Sequence, residues 1–327
     1  MNLLVTGGAG YIGSATSYLL IKKKIKPVIV DKLIYKKENI IPKKSYFYKL
    51  NISSLTKIKK IIKNYKIDSV IHFAALKDVE ESILKPEKYY KNNYLLTKKF
   101  INCCKENGVE NFIFSSTAAV YGNLKNKKAK ETDKLSPLNP YAISKMKLEN
   151  YLIKKSKIDK INYVILRYFN VAGAEKKLRT GLVSKHASHL IKIICEVVTK
   201  KRKLLTINGE NYNTKDGTPI RDYIHISDLS EAHLISAEYL LNKGNSQIFN
   251  CGYSKGYSVK QVIFEMEKIL KRKLPTKIGK RRKGDAERVV ANISKFKNYF
   301  SWKPKYNNLN LILKSALAWE KKLKKYE

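Results

Sequence analysis

Apolar residues along this chain fall into short runs separated by longer stretches of helical periodicity. NLLVT (2–6), PVIVD (27–31), residues 45–50, SVIHFAA (69–75), NFIFSST (111–117) and INYVILRYFN (161–170) read as strands. YIGSATSYLLIKKK, LTKIKKIIKNY and residues 86–107 read as helices, the last stopped by Gly108. NPYAISKMKLENYLIKKS starts a further long helix near Pro140. Lysine-rich residues 123–135 read as an exposed connection. Short apolar strands alternating with amphipathic helices predict a doubly wound parallel sheet, an α/β fold with helices on both faces.

The latter half is less regular. GLVSKHASHLIKIICEVVTK reads partly as a helix, and LLTINGENYNTKDGTPIRDYIH as a strand with a polar loop. Residues 228–242, 258–271 and the final LNLILKSALAWEKKLKKY carry helical periodicity. We expect a cofactor domain over 1–170, joined by later chain crossing back at roughly 222–250. A smaller mixed α/β substrate domain is expected over 171–327, with the site in the cleft between the two.

Charge changes the picture less than its size suggests. The formal net charge is +40, from 67 Lys plus Arg against 27 Asp plus Glu. The lysines are dispersed through nearly every helix, with no basic arm and no nucleic-acid-binding signature, so no specific nucleic-acid partner is expected. The field suits collecting an anionic substrate. No apolar run is long enough for a membrane span and the start does not resemble a signal peptide, which points to a cytoplasmic protein. Cys103, Cys104, Cys195 and Cys251 show neither zinc spacing nor a disulfide framework. His72, His225 and His233 read as structural, and His186 with His189 lacks a third ligand, so no metal is expected.

The sharpest local feature is VTGGAGYIGS between a strand and a helix. Gly8, Gly10 and Gly13 form GxGxxG, and Gly7, Gly10 and Gly13 form GxxGxxG. Such a turn lets a pyrophosphate approach the amides of a helix start. Asp31 ends the second strand, where a carboxylate meets adenosine ribose hydroxyls and favours NAD over NADP. Tyr141 and Lys145 lie one helical turn apart in YAISK, and Thr117 ends the SST strand. A nearby ammonium favours the phenolate, making Tyr141 a candidate acid/base, while Thr117 is placed to orient a reacting hydroxyl.

With these motifs in place, the chain resembles the extended short-chain dehydrogenase/reductase family, in particular its UDP-sugar 4-epimerases. The resembling blocks are VTGGAGYIGS, VIHFAALKDVEES, KNNYLLT, FSSTAAVYG, PYAISK, RYFNVAGA, DGTPIRDYIHISDL and RRKGD. The resemblance implies a Rossmann sheet and a tightly retained NAD held by Gly7, Gly10, Tyr11, Ile12, Gly13, Asp31, Asn51, Ile52, Phe73, Ala74, Ala75, Lys77, Asn92, Tyr141, Lys145 and Tyr168. It implies a UDP-hexose held by Lys77, Thr117, Tyr141, Phe169, Asn170, His189, Leu190, Arg221, Arg282, Asp285 and Val289. Asn170, Arg221 and Arg282 would meet the diphosphate and Asp285 the uridine ribose. The implied reaction is reversible C4 epimerisation of UDP-glucose and UDP-galactose. It runs through a transient 4-keto sugar with hydride exchange to NAD, and Tyr141 moves the proton. A homodimer is the implied assembly.

Four positions depart from the family pattern. Asn51 replaces a common Asp, Ala75 a frequent Gly and Lys192 a frequent Pro, the lysine adding stiffness changes or phosphate attraction. Val289 stands where some members carry Tyr, leaving room for a C2 N-acetyl group. UDP-N-acetylglucosamine 4-epimerisation, alone or as a second activity, is therefore the alternative, with UDP-glucuronate further off. A 4,6-dehydratase would need acids at Ala118 and Ala119.

Overall fold

A computed structural model describes residues 1–33, 40–124, 128–184, 188–282 and 285–324. The chain begins with β1 (Leu3–Thr6), α1 (Tyr11–Lys22), β2 (Val28–Asp31), β3 (Tyr46–Lys49), α2 (Leu55–Asn64) and β4 (Ser69–His72). Next come α3 (Val79–Leu84), α4 (Pro86–Tyr89), a π-helical turn (Tyr90–Leu95), α5 (Leu96–Glu106), β5 (Asn111–Thr117) and a 3₁₀ turn (Ala118–Tyr121). They are followed by α6 (Pro140–Asp159), β6 (Asn162–Tyr168), β7 (Asn170–Ala172), α7 (Leu190–Val198), β8 (Leu205–Asn208) and β9 (Ile220–His225). The remainder is α8 (Ile226–Leu241), β10 (Gln247–Cys251), β11 (Gly256–Ser258), α9 (Val259–Leu270), β12 (Thr276–Gly279), β13 (Arg288–Val289), α10 (Ser294–Phe300) and α11 (Leu309–Lys324).

Two compact units emerge. The first comprises 1–120, 137–167 and 230–249, and the second 121–136, 168–229 and 250–327. The seven-stranded sheet runs β10-β6-β5-β4-β1-β2-β3. β1 pairs in parallel with β2 and β4, β2 with β3, and β4 with β5. This is the doubly wound Rossmann order, reversing direction between β1 and β4. β1 and β4 are buried along their whole length, as inner strands covered on both faces are. Leu4, Val30, Val70, Phe112 and Ile165 pack with Ile58, Ile62 and Phe100 of α2 and α5 in one buried cluster.

In the second unit, β9 anchors a smaller sheet, pairing with β7 and β13 in parallel and with β11 antiparallel. β8 and β12 form a separate parallel pair. Three expectations change here. The helix over 86–107 is interrupted by the π turn, preceded by the separate short helix α3. The strand over 161–170 breaks at Phe169, whose N–H turns to the Cys251 carbonyl at 3.0 Å. Residues 123–135 are not wholly exposed: Ala129 is buried, donating its N–H to the Val290 carbonyl at 2.8 Å. Ala129 is small and apolar, and it enters the core where the flanking lysines do not.

Candidate functional site

The glycine loop leaves β1 at the point where the strand order reverses. Gly7 has φ +71°, and a Cβ there would lie 2.6 Å from the Ala74 nitrogen after β4. A Cβ at Gly13 would come within 2.3 Å of the Gly7 carbonyl oxygen, so the loop folds directly onto α1. Gly10 is the N-cap of α1, and the amide end of that helix begins at Tyr11 and Ile12. This side-chain-free cradle at a helix start fits a dinucleotide pyrophosphate.

Asp31 closes β2. Its Oδ2 accepts the Ala9 N–H at 3.0 Å and its Oδ1 accepts the Leu33 N–H at 2.7 Å. Burial raises its pKa, opposed by those two amides and by Lys32. The carboxylate thus braces the glycine loop, and its remaining lone pairs are what it offers a ribose. Asn51 Oδ1 accepts the Ser53 N–H at 3.1 Å, and Ile52 is buried behind it. Phe73 and Ala75 are part-exposed, the Phe73 ring lying 4.7 Å from that of His233. Lys77 is exposed, although crowding by protein holds its ammonium below the ordinary lysine range, with Asp78 opposing.

Asn92 of the π turn donates to Asn93 Oδ1 at 3.0 Å. Asn93 is the buried member, and it was not anticipated. It accepts the Leu76 N–H at 2.8 Å and donates to the Leu76 carbonyl at 2.9 Å and to Ser144 Oγ at 3.2 Å. One side chain thereby ties the loop after β4 to α6. The signal was the asparagine pair in KNNY, poor helix formers inside a helical stretch.

Tyr141 and Lys145 stand on the first turns of α6, which is capped by Asn139 accepting the Ala142 N–H at 2.9 Å, with Pro140 next. Both side chains are buried. The Tyr141 hydroxyl is hydrogen-bonded to Thr117, as expected of a pair meant to hold one hydroxyl. The ammonium behaves differently from expectation. Lys145 Nζ donates to the Ser115 carbonyl at 2.8 Å and lies 4.8 Å from the Phe114 ring centroid. Burial pushes Tyr141 up to about 12, with Thr117 opposing, and lowers Lys145 to about 7, with Glu149 opposing. In the protein alone desolvation outweighs the charge effect, so at neutral pH the phenol holds its proton.

The second unit gathers its candidates around β9. Asn170 of β7 sits opposite Tyr223, and Val289 of β13 opposite Arg221. Arg221 Nη2 bonds to Asp285 and, at 2.6 Å, to the Ala286 carbonyl, while Nη1 bonds to the Ile220 carbonyl at 2.8 Å. The two residues assigned to diphosphate and ribose are therefore paired with each other. His189 stands at the N-cap position of α7, ahead of Leu190, without a side-chain capping bond, its ring 6.4 Å from that of Tyr223. Tyr168 is part-exposed at the end of β6, and Phe169 is buried. Arg282 is part-exposed and its carbonyl accepts the Asp285 N–H at 3.4 Å, whereas Lys283 and Gly284 of the RRKGD block lie outside the described residues. Arg281 was passed over; its guanidinium lies 3.9 Å over the Tyr212 ring.

Lys192 does not serve phosphate attraction. It is buried, bonded to Glu320 of α11 and 3.7 Å from Glu196. The histidines have structural partners. His72 bridges Thr6 at 2.8 Å and Thr97 at 3.4 Å between Phe100 and Phe114, and burial lowers it to about 3. His225 stacks on Tyr306 at 4.4 Å, and His233 meets Ser115 Oγ at 2.8 Å. His186 lies outside the described residues. Among the described residues no cluster of three His, Cys, Asp or Glu suits a metal, and no helix is long and apolar enough to cross a membrane.

Residues 3–252 match the model of the NAD dependent epimerase/dehydratase family. The chain is 39% identical to a UDP-glucose 4-epimerase of Azospirillum brasilense over 98% of its own length and 92% of that protein's. Its fold superimposes with a TM-score of 0.96 on the UDP-glucose 4-epimerase of Stenotrophomonas maltophila, solved with NAD and formylated UDP-arabinopyranose, at 30% identity over 100% of both chains. It is 40% identical to the UDP-Glc/GlcNAc 4-epimerase of Campylobacter jejuni, with a TM-score of 0.85 over 98% of this chain and 99% of that one. Match, glycine cradle and strand order agree, and the chain belongs to the NAD-dependent epimerase/dehydratase family.

Proposed function

We infer that this chain catalyses the reversible C4 epimerisation of UDP-glucose and UDP-galactose with NAD as its cofactor. The observation that carries the reading is the Tyr141–Thr117 hydrogen bond on a helix whose next turn brings Lys145 to the end of the same strand. The glycine cradle, Asp31 and Lys145 would hold the dinucleotide. When bound, NAD supplies reversible two-electron oxidation at sugar C4. Thr117 fixes the C4 hydroxyl, and Tyr141 takes its proton and returns it. A phenol with so high a pKa acts as a base only beside positive charge, which Lys145 is the residue to provide. Arg221, Arg282 and Asn170 bind the diphosphate and Asp285 the uridine ribose. A diphosphate meeting Arg221 competes with the Asp285 carboxylate. We further propose a homodimer, to be checked by light scattering.

A second reading is UDP-N-acetylhexosamine epimerisation in the same site. Part-exposed Val289, in register with Arg221, favours it, as does the 40% identity to an enzyme named for both sugars. A product-resolved assay of the purified protein with UDP-galactose and UDP-N-acetylgalactosamine, after its bound nucleotide is identified, tests both. Conversion of neither sugar by folded, NAD-loaded protein rejects the reading.

A further inference from the structure

Three consecutive residues at the end of β5 meet three successive turns of α6. Tyr141, Lys145 and Glu149 recur at intervals of four and so share a helix face. Thr117 bonds to Tyr141, the Ser115 carbonyl accepts from Lys145, and Ser116 Oγ donates to Glu149 Oε1. Glu149 has no exposure, and Arg167 of β6 is 3% exposed. Arg167 Nη2 reaches Glu149 Oε2 at 2.6 Å, and its Nε lies 3.1 and 3.2 Å from the two carboxylate oxygens.

A buried ion pair is a doubtful source of stability, because desolvating both charges offsets much of their attraction. What this one does supply is direction: a bidentate carboxylate accepts its bonds in one orientation. We propose that Glu149 is a positioning residue which, clamped by Arg167 and bonded to Ser116, fixes the register of α6 on β5 so that Tyr141 meets Thr117. It also places negative charge one turn from Lys145, opposing the fall that burial imposes on that amine's pKa. Among the described residues, His72 from β4 acts electrostatically on Lys145 and is kept neutral by burial, Tyr141 lies one turn before it on α6, Arg167 from β6 is bonded to Glu149, and His233 from α8 to Ser115. This inference rests on the epimerase reading for its kinetics alone.

The test uses the full-length, NAD-loaded protein. Ser116→Ala removes the hydroxyl and spares the ion pair. Glu149→Gln removes the charge but keeps an amide oxygen for Ser116. Glu149→Gln combined with Arg167→Met leaves no unpaired buried charge and carries the test if the single variant does not fold. Cooperative melting and retained nucleotide report folding. The Lys145 titration is followed by NMR of ¹³C-lysine-labelled protein, its signal being the one missing from Lys145→Arg. Ser116→Ala should lower kcat for UDP-galactose about tenfold, leave KM unchanged and leave the Lys145 midpoint unchanged. Glu149→Gln should lower kcat similarly and move the Lys145 midpoint down by about one pH unit. The double variant should move it in the same direction, by less. A folded double variant with wild-type kcat and an unmoved midpoint overturns the proposal. If folded, loaded wild type converts no UDP-galactose, the epimerase reading fails and the midpoints alone decide the role of Glu149.

Discussion

The Lys145 ammonium lies 2.8 Å from the carbonyl oxygen of Ser115, one helical turn beyond Tyr141. The lysine is thus fixed to the strand end that also carries Thr117, and strand and helix present the phenol, hydroxyl and amine as one rigid constellation.

Tyr141→Phe keeps the ring and deletes the group that moves the proton. UDP-galactose conversion should fall by roughly 100- to 10,000-fold, with folding and retained NAD unchanged. A product-resolved assay beside a nucleotide release measurement checks this. Near-wild-type turnover would remove Tyr141 from the mechanism.

Lys145 predicts a pH-dependent stability difference. The unfolded chain holds the lysine proton to about pH 10.4, whereas burial lets the folded protein release it near 7. Between those values the unfolded state binds more protons, so this lysine's contribution to stability rises with pH. Lys145→Met should therefore be most stable relative to wild type at or below neutral pH, and the advantage should shrink toward pH 10. Parallel melts across that range decide it; a constant difference would mean the amine is not buried as described.

Gly13→Ala would bring a Cβ to 2.3 Å from the Gly7 oxygen. We expect destabilisation of about 1–3 kcal/mol and loss of retained NAD, because the loop must lift from α1. Denaturant unfolding and the absorbance of released nucleotide provide the readouts. Gly108→Ala, whose Cβ meets nothing within 4 Å but whose φ of +86° strains the backbone, is the control: it should cost stability and leave NAD retained.

Lys192→Gln should destabilise the protein by about 3 kcal/mol, by leaving Glu320 buried with less compensation. KM for UDP-galactose should not change. A raised KM without lost stability would return Lys192 to phosphate binding.

Val289→Tyr should reduce conversion of UDP-N-acetylgalactosamine by roughly 10- to 200-fold and spare UDP-galactose. Equal losses on both sugars would show that position 289 does not set the size limit.

The sequence by itself determined the features encoded by neighbours in the chain. The glycine turn, Asp31 after its apolar strand and the four-residue spacing of Tyr141 and Lys145 were all legible, because φ freedom, strand ends and helical pitch are local properties. The doubly wound parallel sheet was legible too, since alternating short apolar strands and helices have few ways to pack, whereas the order of its strands came from the structure. Tertiary structure decided where the buried polar groups turn. Lys145 faces Ser115 thirty residues earlier, Arg221 pairs with Asp285, Lys192 with Glu320, and Glu149 joins Ser116 to Arg167. No spacing rule names such partners. A buried donor or acceptor takes whichever complementary group the packing brings near, and desolvation then decides its charge.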